Sequence, residues 1–127
     1  MGFISVIAPA IIGGNTIVVL APEDNPLCAI SFSEVLHSSD VPNGVINILS
    51  GLSNELIDHF SSHMDVNAII SCVVDSKDAE LIVKNSSLNV KRVFDYGSIN
   101  WMNPDSQDPY LIMDCQEIKT TWHPIGY

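Results

Sequence analysis

Residues 45–62 read VINILSGLSNELIDHFSS, and the order of properties along them decides the fold. Val45, Ile46, Ile48 and Leu49 form a short apolar run rich in β-branched side chains, which suits a strand covered on both faces. Ser50-Gly51 ends it. Ser53 then offers an N-cap, and Leu56, Ile57 and Phe60 follow at helical spacing to about Ser62. The same unit recurs on either side. Upstream, Ile17–Leu20 reads as a strand between Gly13-Gly14-Asn15 and the turn Ala21–Pro26. There Asn25 as cap and Pro26 at the first helical position open a helix that bears Leu27, Ile30, Val35 and Leu36, runs to His37 and is stopped by Pro42-Asn43-Gly44. Downstream come a strand over Ala68–Val74, Ser76 as N-cap, a helix with Ala79, Leu81, Ile82 and Val83 ending near Ser87, and a strand over Val90–Phe94.

Four apolar strands joined by three helices predict an α/β fold, a Rossmann-like parallel sheet of repeated βαβ units with helices on both faces and right-handed crossovers. The expected core is Ile17, Val19, Leu36, Ile46, Ile48, Ile57, Ile69, Ile70 and Val93. After Asp95 the pattern changes. Residues 96–109 are rich in Gly, Ser, Asn, Asp and Pro and read as a linker, and Tyr110 to Trp122 regains a strand-like pattern. Because no helix returns it to the sheet, residues 110–127 are expected to contribute a protruding C-terminal β-strand. Its unpaired amides need a partner, either a protein or a second copy of the chain.

Composition excludes several classes of function. The 127 residues carry 15 Asp and Glu against 5 Lys and Arg, a formal net charge of −10. All five basic residues lie at or beyond Lys77, so no basic footprint exists for nucleic acid or an anionic membrane surface. Phe3–Ile12 is apolar but short of the ~20 residues that span a bilayer, lacks a positive segment before it and contains Pro9. Cys28, Cys72 and Cys115 are odd in number and widely spaced, fitting neither a disulfide framework nor a zinc pattern. A cytoplasmic protein with buried thiols is expected.

A doubly wound sheet raises the question of a nucleotide, yet neither G-x-G-x-x-G nor G-x-x-x-x-G-K-[ST] occurs. Of the three strand-to-helix turns, Ala21-Pro22-Glu23-Asp24 and Val73-Val74-Asp75-Ser76 carry carboxylates that repel phosphate; only Ser50-Gly51-Leu52-Ser53 is permissive. His59 and His63 have the i, i+4 spacing of a metal pair but lack the intervening Glu, so a solvated helix end is the expected reading. Cys72 is expected to be an inert core thiol, and Cys115, between Asp114 and Glu117, a poor nucleophile. No metal site is expected.

Five stretches stand out: Ile7-Ala8-Pro9-Ala10 through Gly14-Asn15-Thr16-Ile17-Val18-Val19 with Glu23 and Pro26-Leu27; Val41–Gly51, which is similar to "LPPGVVNVVTG"; His63–Ile69, similar to "HPDVDKIAF"; Lys91-Arg92-Val93; and Glu117–Thr120, similar to "EVKT". Together they resemble the aldehyde dehydrogenase superfamily. The resemblance implies residues 1–95 as the counterpart of the family's NAD-binding domain. Its functional slots are altered. Where the family's "KPSE" contacts the cofactor ribose, this chain has Leu20-Ala21-Pro22-Glu23, so Glu23 alone remains as a degenerate cofactor-binding residue. Where "FTGSTEVG" approaches the pyrophosphate, it has Ser71–Asp78, and Asp95-Tyr96 stand at the place of the Glu of "ELGGK". Residues 96–109 replace the whole catalytic domain, so no catalytic residue is assigned. The ending Lys119-Thr120-Thr121-Trp122-His123-Pro124-Ile125-Gly126 is similar to that of the second half of the two-part enzymes of family 16. NAD is the family's cofactor, and none is expected for this chain. The resemblance implies a non-catalytic structural or oligomerisation module of a longer protein, with the alternative of a fragment of an active NAD-dependent oxidoreductase whose catalytic residues lie outside it.

Overall fold

In the computed structural model residues 2–126 are described. In chain order they form α1 (Gly2–Ile12), β1 (Ile17–Leu20), α2 (Pro26–His37), β2 (Ile46–Leu49), α3 (Ser53–Ser62), β3 (Ala68–Ser71), α4 (Ser76–Ser87) and β4 (Arg92–Asp95). A 3-10 turn at Pro104–Ser106 and a short helix α5 (Tyr110–Asp114) follow. The alternation of parallel strands and helices is the α/β, Rossmann-like class expected from the sequence.

The sheet itself is divided. β1 pairs with β2 in parallel, Ile17 opposite Ile46 and Leu20 opposite Leu49, and β3 pairs with β4, Ala68 opposite Arg92 and Ser71 opposite Asp95. Among the described residues no ladder joins the two pairs, so the expected single four-stranded core is instead two two-stranded sheets. This division corrects the expected core as well. Ile57 is buried as foreseen, but Ile17, Val19, Leu36, Ile46, Ile48, Ile69, Ile70 and Val93 are only half-buried, because each strand pair keeps an open edge. The buried apolar residues are Ile7, Ala10, Ala21, Ala29, Ile57, Ile82, Tyr96 and Cys115.

Local signals account for the remaining differences. The apolar opening is a helix, ended by Gly13-Gly14: Gly14 takes the left-handed conformation (φ +80°) and its N–H donates to the Ile11 carbonyl at 2.9 Å. Ile7 and Ala10, three apart, form its buried stripe. Ser53 and Ser76 are the first residues of their helices rather than caps; Leu52 and Asp75 precede them as N-caps, and Asn25 caps α2 without a side-chain hydrogen bond. β3 stops at Ser71, three residues short of Val74.

The largest correction concerns the tail. Tyr110–Asp114 is helix, and residues 116–126 form no strand. Asp108-Pro109 provides a helix start that the apolar Leu111-Ile112-Met113 run conceals: the Asp108 carboxylate accepts from the Tyr110 N–H at 2.9 Å, and its carbonyl from the Leu111 N–H at 3.1 Å. α5 packs on α1. The chain then passes through buried Cys115, whose carbonyl accepts from Asn15 Nδ2 at 2.9 Å, and the Gln116 carbonyl accepts from the Arg92 guanidinium. Asn15 leads into β1 and Arg92 begins β4, so residues 115–116 link the two sheets at the ends where their strands begin.

Candidate functional site

Ligands of open α/β sheets bind beyond the carboxyl ends of the strands, where helix N-termini present unpaired N–H groups. Here that region is formed by the turns β1–α2, β2–α3 and β3–α4. Ala21, Pro22, Glu23 and Pro26 face Ser50, Gly51 and Leu52 across a shallow cleft of about 210 Å³. Its polar centre is Glu23. The Glu23 carboxylate accepts from both the N–H and the hydroxyl of Ser53, the first residue of α3. Those two bonds, the hydroxyl's first, hold the carboxyl below the usual range, so it stays ionised against the positive end of the helix. The Ser50-Gly51 turn, the one turn that the sequence left permissive for phosphate, is thus closed by a carboxylate from thirty residues away.

The neighbouring turn is closed in the same way. Asp75 caps α4, its Oδ1 accepting from the Lys77 N–H at 2.8 Å. Gly97 backs the turn: a Cβ at this position would lie 2.5 Å from the Val73 carbonyl oxygen, and its N–H donates to Asp95 Oδ1 at 2.9 Å. Asp95 is thereby engaged in a local turn at the end of β4. Beside it Cys72 is exposed, not the core thiol expected, because β3 has already ended. Burial of the sulfur by its surroundings, and then the Asp95 charge, push this thiol up although the side chain still reaches solvent.

The other candidates are dispersed. Cys28 lies exposed on α2, which corrects the expectation of buried thiols throughout, and Cys115 is buried, its thiol pushed up by burial and then by Asp114. His59 stands in the last turn of α3, and His63 Nδ1 accepts from the Asp65 N–H at 3.3 Å. Among the described residues no three His, Cys, Asp or Glu side chains converge as a metal site. Sequence reasoning placed Tyr96 beside Asp95 but missed its contacts: it is buried at the end of β4, meets Trp101 edge-on and donates its hydroxyl to Asp114 Oδ2 at 2.7 Å. Burial, then that hydrogen bond, push its phenol well above the ordinary value and keep it a neutral donor. Its eighteen-residue reach across a loop leaves no signal in sequence.

A model of the aldehyde dehydrogenase family matches residues 1–98. The chain belongs to the aldehyde dehydrogenase family. It is 35% identical over 112 residues to an aldehyde dehydrogenase of Enchytraeus buchholzi, covering 85% of this chain and 22% of that one. It is 25% identical over 114 residues to an NADP/NAD-dependent aldehyde dehydrogenase of Escherichia coli strain K12, covering 89% and 22%. The crystal structure of an aldehyde dehydrogenase from Bartonella henselae matches with a TM-score of 0.62 and 32% identity over 70% of this chain and 18% of that one. This aldehyde dehydrogenase family chain therefore spans about a fifth of the length of the relatives it matches. Among its described residues no helix is long and apolar enough to cross a membrane.

Proposed function

We propose that this chain is a non-catalytic structural module of the aldehyde dehydrogenase family, which assembles with another polypeptide and binds no nicotinamide cofactor itself. One observation carries this reading: of the three helix N-termini at this end, two are taken by the chain's own carboxylates, Glu23 on α3 and Asp75 on α4, and the third, that of α2, opens on Pro26, which has no N–H to offer. A pyrophosphate needs donors there, and these groups are ionised acceptors that repel it. The residues do not fit the cofactor. In the same region Glu23, the one position retained from the family's ribose contact, is turned onto Ser53.

The chemistry of aldehyde oxidation also lacks its parts. It requires a thiolate nucleophile, a general base and oxyanion donors in one site. The thiols of Cys72 and Cys115 are both pushed up, and Cys28 lies on a different element. The exposed segment 116–126, with Trp122 91% exposed and Ile118 and Ile125 nearly as open, supports a role in assembly with a protein partner or a second copy. A second reading, part of an active NAD-dependent oxidoreductase completed by residues outside this chain, is favoured by the relatives' names and by the share of their length that the chain spans.

Calorimetric titration of the chain with NAD tests the proposal. No heat of binding below millimolar cofactor is expected; a dissociation constant in the low micromolar range, or NADH formed from aldehyde by the purified chain, overturns it. Glu23→Ala together with Asp75→Ala, which frees both helix ends, is expected to raise affinity for pyrophosphate above that of the unaltered chain.

A further inference from the structure

An asparagine can react with its own backbone, and the residue that follows it decides how readily. Its side-chain carbonyl carbon is one five-membered ring away from the next backbone nitrogen, and glycine alone leaves that nitrogen with no Cβ beside it. Of the ten asparagines in the chain only Asn43 precedes a glycine. Proline, which follows Asn25 and Asn103, has no N–H to lose.

The fold leaves this pair open to reaction. Asn43 and Gly44 are both exposed and line a cleft of about 190 Å³ together with Ser33 and His37, so water reaches them. Among the described residues neither the Asn43 side-chain amide nor the Gly44 N–H has a hydrogen-bond partner. A Cβ built on Gly44 would meet no atom within 4 Å. The bond that closes the turn, from the Val45 N–H to the Pro42 carbonyl, is 3.3 Å long, beyond the usual range of about 2.7–3.2 Å, and holds Asn43 only loosely. By contrast the amides of Asn15, Asn47 and Asn85 each donate two hydrogen bonds.

We propose that Asn43 converts spontaneously to isoaspartate and aspartate, and that the isoaspartyl form loosens the start of the β1–β2 pair. The Gly44 nitrogen loses its proton to solvent base and attacks the Asn43 Cγ. A new N–Cγ bond closes a succinimide while the Cγ–Nδ2 bond breaks, and Nδ2 takes up the proton and leaves as ammonia. Water then opens the ring. Addition at Cγ breaks the new bond and gives aspartate; addition at the main-chain carbonyl carbon breaks its bond to the Gly44 nitrogen and leaves the chain running through Cβ and Cγ, as isoaspartate. One water is consumed and one ammonia released, with no change of oxidation state. Either product adds a carboxylate to a chain of net charge −10. Isoaspartate also adds a methylene to the backbone just before Gly44. The Gly44 carbonyl accepts from Asn47 Nδ2 at 2.9 Å, the same amide reaches the Ile17 carbonyl at 3.2 Å, and the Val45 carbonyl accepts from the Ile17 N–H at 2.8 Å. Lengthening the turn displaces Gly44 and Val45 from these contacts. The conversion needs no partner and holds whatever the chain assembles with.

The test ages the full chain in warm neutral buffer beside the free peptide Asp-Val-Pro-Asn-Gly-Val-Ile. The chain is then cleaved after Glu34 and Glu55 and sequenced by tandem mass spectrometry, with isoaspartate read as methyl groups accepted from S-adenosylmethionine by an isoaspartyl methyltransferase. Ammonia loss is expected at Asn43 at a rate within tenfold of the peptide's, with isoaspartate the larger product, and at Asn47 and Asn67 at least tenfold more slowly. In the separated isoaspartyl form, exchange of the Ile17 N–H is expected to quicken at least tenfold while that of the Tyr96 N–H, bonded to Ser71 in the other sheet, is unchanged. Gly44→Ala should slow conversion at least tenfold by placing a Cβ beside the attacking nitrogen. Because φ +84° strains that alanine, Asn43→Gln, which would have to close a six-membered ring, is the second variant and should stay unmodified. Conversion more than tenfold slower than the peptide's overturns the proposal, since the fold would then protect the turn. So does ammonia loss at an equal rate from another asparagine, or an isoaspartyl form in which Ile17 exchange is unchanged.

Discussion

The β1–β2 half and the β3–β4 half of the molecule have the same strand-and-helix grammar but different interiors. In the second, α3 and α4 pack face to face around Ile57 and Ile82, with Ser61 and Ser86 almost fully buried between them. Asn85 donates one hydrogen bond to Asp58 Oδ1 and one to Ser61 Oγ, both at 2.9 Å, and the Ser61 hydroxyl donates on to the Ile57 carbonyl at 2.7 Å. In the first half α1 and α2 meet edge-on through the rings of Phe3 and Phe32, their centroids 6.2 Å apart. Its buried residues are Ile7 and three alanines, Ala10, Ala21 and Ala29, and it is tied to the rest by Asn15 and by contacts of α1 with α5. Equal secondary structure thus gives unequal interiors, because burial depends on whether a neighbouring element exists to close the face.

The comparison can be broken most severely at Ile82, 5% exposed in the α3–α4 interface. Ile82→Ala is expected to cost about 3 kcal/mol through lost burial and the cavity left behind. Urea unfolding measures it, and hydrogen exchange should show the loss in α3 and α4 while β1–β2 keeps its protection. Asn85→Ala comes next. It strips the Asp58 carboxylate and the buried Ser61 hydroxyl of a donor, at about 2 kcal/mol. Replacing Asp58 and Asn85 together should cost less than the two single changes added, which a double-mutant cycle would reveal.

Val90 offers a gain. It is an exposed β-branched residue held at φ +58° in the turn between α4 and β4, where the Lys91 N–H closes onto the Ser86 carbonyl at 3.0 Å. A side chain there strains the backbone, and Val90→Gly is expected to stabilise the chain by about 1 kcal/mol, read as a higher melting temperature. The smallest effect belongs to the first half. Because the folded-state pKa of Glu23 is lowered, its contact with Ser53 contributes stability above the unfolded carboxylate value, about 4.3, and loses it as pH falls through the folded one. Protection from exchange at the start of α3, relative to the intrinsic rate at each pH, should fall on acidification below that range, and Glu23→Gln should flatten the dependence.

Which parts of this were legible in the sequence follows from how local their causes are. The run Val45–Leu49, broken by Ser50-Gly51 and followed by the spacing of Leu56, Ile57 and Phe60, specifies strand, turn and helix through nearest-neighbour preferences, and the structure has all three. The tail misled because Leu111, Ile112 and Met113 suit a strand as well as a helix; the Asp108-Pro109 start and the face of α1 tip the balance toward helix. Cys72 misled because strand length is set by available partners, and β4 pairs with β3 only as far as Ser71.

By itself, then, the sequence determined the order of the strands and helices, the acidic balance, the family likeness and the loss of the phosphate-binding glycines, all of which are written in residue types and short-range spacing. Only the tertiary structure decided that the strands form two pairs with open edges, that Asn85 and Tyr96 tie together distant segments, and that Glu23 and Asp75 close the helix ends. Pairing, burial and capping of that kind depend on which surfaces meet in space. That outcome is set by the competition of all elements for the same faces, and no window of sequence contains it.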